Sequence, residues 1–309
     1  MIKQIRRVAI IGMGALGIMY GHFLSKALGD LSLVFIADRK RQEAYAREGV
    51  FFNGEACRFT FMDPSEEPEK PADLLVFATK GTQLEQAMED ARRHVGPETV
   101  IISFLNGITS EQIIGQAFGM EHVVYCVVQG TDATRTGHSV TCRHRGKIVL
   151  GIPADEFDKR PVLERAMLFL QEASIPYLHD QNMRHRLYSK WMLNVGVNQV
   201  VTVYQGTYGT VQQEGEARET MKAAMREAML VARRERVPVS DDDLDFYVRL
   251  VDGLDPDGMP SMRQDSLAGR PTEVEFFAGT VVRKADALGL DVPVNRRLYR
   301  QIREMEQTR

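Results

Sequence analysis

The sequence predicts an α/β domain with a mostly parallel sheet over residues 1–179, followed by an all-helical domain over residues 180–309. Three observations carry this reading. Short apolar runs alternate with helix-period segments as far as Phe104, the pattern of a doubly wound sheet. Strand-like stretches joined by glycine-containing turns then continue to Leu178, and beyond Asp180 only helical periodicity remains. The chain length of 309 also fits two domains, since single cores usually stop growing near ~250 to 300 residues.

Taken in order, RVAII from Arg7 to Ile11 is the first strand, a continuous apolar run of the kind buried on both faces. GMGALG follows, placing Gly12, Met13, Gly14, Ala15, Leu16 and Gly17 between that strand and a helix running to about Leu28. In this order of strand, glycine turn and helix, Gly12 allows a tight turn and Gly14 lets backbone approach a pyrophosphate. Gly17 lets the helix pack closely on the sheet. The helix N-terminus adds unpaired N–H groups and a partial positive charge. A second strand, Leu31 to Ala37, ends at Asp38, and together these features predict dinucleotide binding.

The alternation continues through a helix Arg41 to Glu48, a strand Asp73 to Thr79, a helix Gln83 to His94 and a strand Thr99 to Phe104. Between them VFFNGEACRFTF reads as a hairpin turning at Asn53 and Gly54. Lys80 and Asn106 each lie just beyond the carboxyl end of a strand, where open α/β sheets hold ligands. Lys80 is therefore a candidate for cofactor phosphate or ribose. Asn106, in LNGI, is either a neighbour of the nicotinamide or part of an ordinary Asn-Gly turn. The stretches Val123 to Gln129, His138 to Arg143 and Lys147 to Ile152 are expected to extend the sheet with antiparallel strands. A helix from Pro161 to Ala173 and a strand from Pro176 to Leu178 complete the domain. The second domain is expected to hold helices over Arg184–Val203, Glu216–Arg236, Asp241–Val251, Thr272–Ala287 and Asn295–Glu306.

Composition excludes several functions. Net charge is −3 and the 39 basic residues form no long block, so no nucleic-acid footprint or polybasic membrane anchor is present and a small-molecule partner is favoured. Three cysteines without close pairing suit neither a disulfide framework nor a zinc knuckle, and the seven histidines show no metal-binding spacing. We expect no metal. Lys3, Arg6 and Arg7 precede apolar Val8 to Tyr20 in the order of an export signal, but the glycines interrupt that segment. No other run approaches the ~18 apolar residues of a membrane span. A reducing cytoplasm is the expected compartment. The amphipathic helices after Glu216 suit either a homodimer contact or packing within the chain.

Chemistry concentrates in KWMLNVGVN, where Lys190, Asn194 and Asn198 stand four residues apart. At roughly 100° per residue these three side chains share one face of an otherwise apolar helix. Burying a lone ammonium costs several kcal/mol without a partner, so the stripe is either a cleft for a polar, anionic substrate or a network holding two helices in register. In PSMRQDSLAGRPTEVEFFAG, Thr272 and Glu275 have capping-box spacing, which places Glu273 in a first helical turn where dipole complementation alone would account for it. Ser261 is likewise a common cap. Arg263, Asp265 and Arg270 read as an ion-pair network.

GMGALG, KWMLNVGVN, PSMRQD and AGRPTE resemble, in order and separation, the ketopantoate reductases (2-dehydropantoate 2-reductases) over nearly the whole chain. The resemblance implies a Rossmann domain followed by a helical domain of the 6-phosphogluconate dehydrogenase type, with the active site in the cleft between. It implies NADPH-dependent reduction of 2-dehydropantoate to (R)-pantoate, a step toward pantothenate and coenzyme A. By motif, Lys190 matches the catalytic lysine, Asn194, Asn198 and Ser261 match substrate-binding positions, and Glu273 matches the active-site acid. Lys80 and Asn106 match cofactor-contacting positions. These residue types suit the reaction: hydride attack on a 2-oxo acid creates an alkoxide, which needs a proton donor and nearby positive charge. A partly desolvated lysine provides both. The amides orient the substrate without adding charge.

One position departs from the family pattern. Where an arginine usually grips the 2′-phosphate of NADP, this chain has Asp38, which generally favours the ribose 2′-OH of NAD. Arg39, Lys40 and Arg41 follow at once and can restore a phosphate clamp, so NADP is expected and NAD is the alternative. A reductase of another branched 2-oxo acid, a catalytically silent nucleotide-binding sensor and an amino-acid-condensing opine dehydrogenase are the competing functions.

Overall fold

The computed structural model describes residues 2–27, 32–153 and 155–308. It divides into two compact units, Met1–Met183 and Arg184–Arg309. In the first unit the chain runs β1 (Arg7–Ile11), α1 (Ala15–Ala27), β2 (Ser32–Ile36), α2 (Arg39–Glu48), β3 (Phe51–Phe52), β4 (Glu55–Ala56), β5 (Thr60–Met62) and β6 (Leu74–Phe77). It continues through α3 (Leu84–Ala91), β7 (Val100–Ser103), α4 (Ser110–Phe118), β8 (Tyr125–Thr131), β9 (Thr134–Thr136), β10 (Ser139–Thr141), β11 (Arg145–Gly151), α5 (Arg160–Glu172) and β12 (Tyr177–His179). The expected helix end at Leu28 and strand start at Leu31 lie outside the described residues.

The main sheet has the order β5-β2-β1-β6-β7, with every neighbouring pair parallel. Its strands read as unbroken apolar runs because both faces are covered. Val8, Ile10, Leu74 and Val76 enter one buried cluster, while the alternate residues Ala9, Ile11, Leu75 and Phe77 enter another. The chain leaves β1 outward through β2 and β5, then returns to β6 on the other side of β1. The carboxyl ends of β1 and β6 therefore mark the point where strand order reverses, the place where such sheets form a ligand crevice.

Local pairing differs from the sequence expectation in two places. Asn53 and Gly54 do turn the hairpin, both with positive φ (48° and 83°), but the following Thr60–Met62 leaves it to become a parallel edge strand on β2. Of the three later stretches, β8 and β11 pair antiparallel in a three-stranded sheet of their own, of order β12-β11-β8, and Val123, just before β8, makes an isolated parallel bridge to Ile101 of the main sheet. Strand β10 instead joins a separate sheet of order β4-β3-β10-β9. Helix α4 carries Gly115 at its centre, which weakens intrinsic helix propensity and hid the element from periodicity.

The second unit is helical: α6 (Met183–Val203) crosses its boundary, and α7 (Tyr208–Gln212), α8 (Glu216–Arg234), α9 (Asp241–Asp252), α10 (Ser261–Leu267), α11 (Ala278–Leu288) and α12 (Pro293–Gln307) follow. The short helices α7 and α10 span too few turns to show a period. The expected single helix Thr272–Ala287 is broken. Val274–Phe276 forms a 3-10 turn, Phe277 leaves helical geometry at φ −107° and ψ −96°, and α11 starts after it. No capping box forms, because the Thr272 amide and hydroxyl both donate to Glu306 and the Glu275 carboxylate pairs with Arg283. Among the described residues no helix is long and apolar enough to cross a membrane.

Candidate active site

The glycine turn is built against the end of β6. Gly12 has φ +105°, and a Cβ there would lie 2.5 to 2.6 Å from the backbone of Ala78 and Thr79. A Cβ on Gly17 would meet the Gly12 carbonyl oxygen at 2.0 Å, so close packing of α1 on the turn requires glycine. Gly14 is less restricted locally, since a Cβ there would lie 3.3 Å from the Ala78 oxygen. The turn thus keeps backbone open at the N-terminus of α1, with Met13, Ala15 and Leu16 completing it. Beside it the Thr79 hydroxyl is buried without a hydrogen-bond partner among the described residues. A methyl-free cradle, a helix N-terminus and an unmatched hydroxyl fit a dinucleotide's phosphates.

Lys80 follows Thr79 and, half-buried, starts the turn into α3, its carbonyl accepting from Gln83 N–H at 2.9 Å. Asn106 lies beyond β7, half-buried, in a turn that needs Gly107 at φ +106°. The turn role of Asn-Gly is therefore real and leaves the asparagine side chain's own role to be assigned. Asp38 caps α2: its Oδ1 accepts from the Arg41 amide at 2.8 Å and its Oδ2 lies 3.4 Å from the Arg41 guanidinium. The first turn of α2 contains no acid, and Arg39, Lys40 and Arg41 all lie there exposed.

In the second unit, residues far apart in sequence meet on α6. The Asn198 Nδ2 donates to Asn194 Oδ1 at 3.3 Å, and its Oδ1 accepts from the Ser261 hydroxyl at 3.3 Å and the Met262 amide at 3.1 Å. Pro260, in the cap position of α10, offers no side-chain cap, so Asn198 takes that role from another helix. Asn198 is buried, Asn194 half-buried and Ser261 exposed, which grades the cluster from interior strut to accessible rim. Lys190 lies one turn before Asn194 and is half-buried.

Glu273, 4% exposed, caps the 3-10 turn rather than standing inside a helix. Its carbonyl accepts from Phe276 N–H at 2.9 Å, and the Phe276 carbonyl accepts from the indole of Trp191 at 3.0 Å. The residue next to Lys190 thus ties α6 to the segment carrying Glu273. Fully buried Gln199 adds a second tie, accepting from the Ala278 amide at 3.1 Å and donating to Asn295 Oδ1 at 3.2 Å. Trp191, Gln199 and Asn295 were not singled out by sequence as site residues. The one tryptophan beside Lys190 was the available signal. Of the expected ion-pair network, Arg270 and Asp265 pair at 3.0 Å, and Arg263 also donates to the Gln205 carbonyl at 2.9 Å.

Comparison with known proteins covers both units. A family model described as ketopantoate reductase PanE/ApbA matches residues 8–155, and the corresponding C-terminal model matches residues 182–306. A 2-dehydropantoate 2-reductase of Streptococcus pyogenes serotype M3 is 25% identical over 308 residues, covering 97% of each chain. The solved structure of a PanE/ApbA family ketopantoate reductase from Ralstonia eutropha JMP134 is 26% identical with TM-score 0.83, covering 98% of this chain and 99% of that one. D-mandelate dehydrogenase solved with NADH and anilino(oxo)acetate shares the fold, at 23% identity and TM-score 0.85, covering 98% of each chain.

Proposed function

The chain belongs to the ketopantoate reductase family, a family of oxidoreductases that use a nicotinamide cofactor, and from that premise we propose that it reduces 2-dehydropantoate to (R)-pantoate. The observation that carries this reading is the cluster of Asn194, Asn198 and Ser261, contributed by positions 63 residues apart and gathered one turn from Lys190. A nicotinamide cofactor held by the glycine turn, Lys80 and Asn106 would supply the hydride that reaches the 2-oxo carbon. The carbonyl π pair then resides on oxygen, which takes a proton from the Lys190 ammonium, and solvent reprotonates the amine. Asn194 and Ser261, at the accessible side of the cluster, bind the substrate's carboxylate and hydroxyl groups, and Asn198 orients both. Glu273, held through Trp191 and Phe276, positions the ammonium or accepts the substrate hydroxyl.

Gly12, Met13, Gly14, Ala15, Leu16 and Gly17 hold the pyrophosphate, Lys80 the phosphates or ribose, and Asn106 the nicotinamide end. NADP is the cofactor we assign. Both Asp38 oxygens are already engaged with Arg41 and Asp63 accepts from the Arg39 amide, so these carboxylates complement the helix N-terminus while the exposed Arg39, Lys40 and Arg41 side chains can attract a further anion. A 2′-phosphate beside Arg39 is such an anion. The pathway leads toward pantothenate and coenzyme A in the cytoplasm, and the amphipathic helices support a homodimer, which light scattering tests.

The decisive experiment is steady-state kinetics with ketopantoate, 2-oxoisovalerate and phenylglyoxylate, each with NADPH and NADH. Highest kcat/KM for ketopantoate with NADPH is expected. A higher value for either other acid would move the assignment to another 2-oxo acid, the aromatic one being included because D-mandelate dehydrogenase shares this fold. Preference for NADH would return Asp38 to ribose binding, and cofactor binding without turnover would leave a nucleotide sensor.

A further inference from the structure

Below the turn that carries Asn106 lies a chain of buried polar groups that the reaction above does not use. The Leu105 amide donates to Ser103 Oγ at 3.3 Å, Ser103 Oγ donates to Ser110 Oγ at 3.1 Å, and Ser110 Oγ donates to Glu111 Oε2 at 3.0 Å. Ser103, Ser110 and Glu111 are each 1 to 2% exposed. The remaining oxygen, Glu111 Oε1, is buried without a hydrogen-bond partner among the described residues. Around the carboxyl lie the Cys126 amide and the buried Lys159 ammonium, which pairs with Glu156 at 2.6 Å and sits 5.1 Å from the Tyr125 ring.

A carboxyl placed only to complement the dipole of α4 need not be buried. Glu85 in α3 and Glu216 in α8 occupy first turns exposed to water. Burying Glu111 with one oxygen unmatched costs stability that an apolar side chain would not. What the burial secures is an acceptor at the end of a one-way relay, in which each hydroxyl donates inward and the first donor is the amide immediately before Asn106.

We propose that Glu111 is a positioning residue for the cofactor, its buried carboxyl anchoring through Ser110 and Ser103 the turn that presents Asn106. This rests on the reading of Asn106 as a cofactor contact. Loss of the acceptor frees the relay hydroxyls to turn, and the Leu105–Gly107 turn loses its fixed geometry.

The test uses the full chain and NADPH, with affinity read from cofactor fluorescence and folding from Tm. Glu111→Leu removes the acceptor and Ser110→Ala interrupts the relay. Each is expected to raise the NADPH Kd and KM about fivefold, the scale of one net hydrogen bond, with kcat reduced less than twofold. Glu111→Leu should not lower Tm, since it also removes a buried carboxyl. Glu111→Gln and Ser110→Thr, which keep acceptor and hydroxyl, should return affinity to within about twofold of the native chain. Wild-type affinity in both Glu111→Leu and Ser110→Ala overturns the inference, as does a fall in Tm with unchanged Kd. An Asn106→Ala arm separates the two readings. Weakened NADPH binding there, with the relay variants unaffected, removes Glu111 alone, whereas unchanged binding removes the role of Asn106 and this inference with it.

Discussion

Lys190 shares its helix face with two amides, so its loss should spare the packing of α6 while removing the proposed proton donor. Lys190→Ala is expected to lower kcat by about 10² or more with little change in NADPH affinity, measured by steady-state kinetics and fluorescence titration. Asn198 and Ser261 should separate by degree of burial. Asn198→Ala leaves the Met262 amide without its acceptor, which should cost about 1–3 kcal/mol in urea unfolding and raise substrate KM. Ser261→Ala should raise substrate KM with a much smaller stability loss. Glu111 gives a pH signature. Burial pushes its pKa up to about 7 from an ordinary 4.5, against the opposing pull of its backbone and Ser110 hydrogen bonds. The folded state therefore binds this proton more tightly than the unfolded state, and the stabilisation is complete below about 4.5 and lost as pH rises through about 7. The stability of the native chain minus that of Glu111→Gln should fall by roughly 3 kcal/mol between those limits. A difference that stays flat with pH would contradict it.

Among elements, the glycine turn and α6 depend on close approach. Gly12→Ala combines a positive φ with a methyl 2.5 Å from backbone, so the turn must move; NADPH binding should be lost, with destabilisation of about 1–3 kcal/mol in urea unfolding. On α6, a Cβ at Gly196 would lie 2.5 Å from Met225 Cγ and 3.0 Å from the Met221 oxygen. Helices α6 and α8 therefore pack closely at this glycine, and Gly196→Leu should displace the face that carries Asn194 and Asn198. We expect a higher substrate KM and a stability loss of about 1–3 kcal/mol, read from kinetics and denaturation. The broken helix near Glu273 follows the same logic. Local capping-box spacing lost to Glu306, a partner 34 residues away that takes both the Thr272 amide and hydroxyl. A helix end follows the best available hydrogen bonds, and those need not be local.

At the scale of the whole molecule, each unit holds its own share of the proposed site residues: Gly12 to Gly17, Asp38, Arg39, Lys80 and Asn106 in the first, Lys190, Asn194, Asn198, Ser261 and Glu273 in the second. Amide hydrogen exchange should reflect that division. NADPH is expected to protect the segments around Gly12–Gly17 and Ala78–Lys80, and addition of ketopantoate to protect α6 and the start of α10. Protection by NADPH confined to the helical unit would contradict the assignment of the glycine turn. The protective free energy at 100 times Kd is about 2.7 kcal/mol, well within the range that exchange resolves.

The sequence alone determined the division into α/β and helical halves, because strand and helix periods and a glycine turn are written in local residue order. It also placed Lys190, Asn194 and Asn198 on one face, since four-residue spacing fixes direction on any helix. Tertiary structure alone decided that Ser261 meets Asn198, that β10 pairs with β3 and that Glu111 ends a relay under Asn106. It also decided that Trp191 and Gln199 tie α6 to the segments around Glu273 and Ala278. Those are partners distant in the chain, chosen by which buried donors and acceptors can satisfy one another once the core has closed, and no local pattern records that choice.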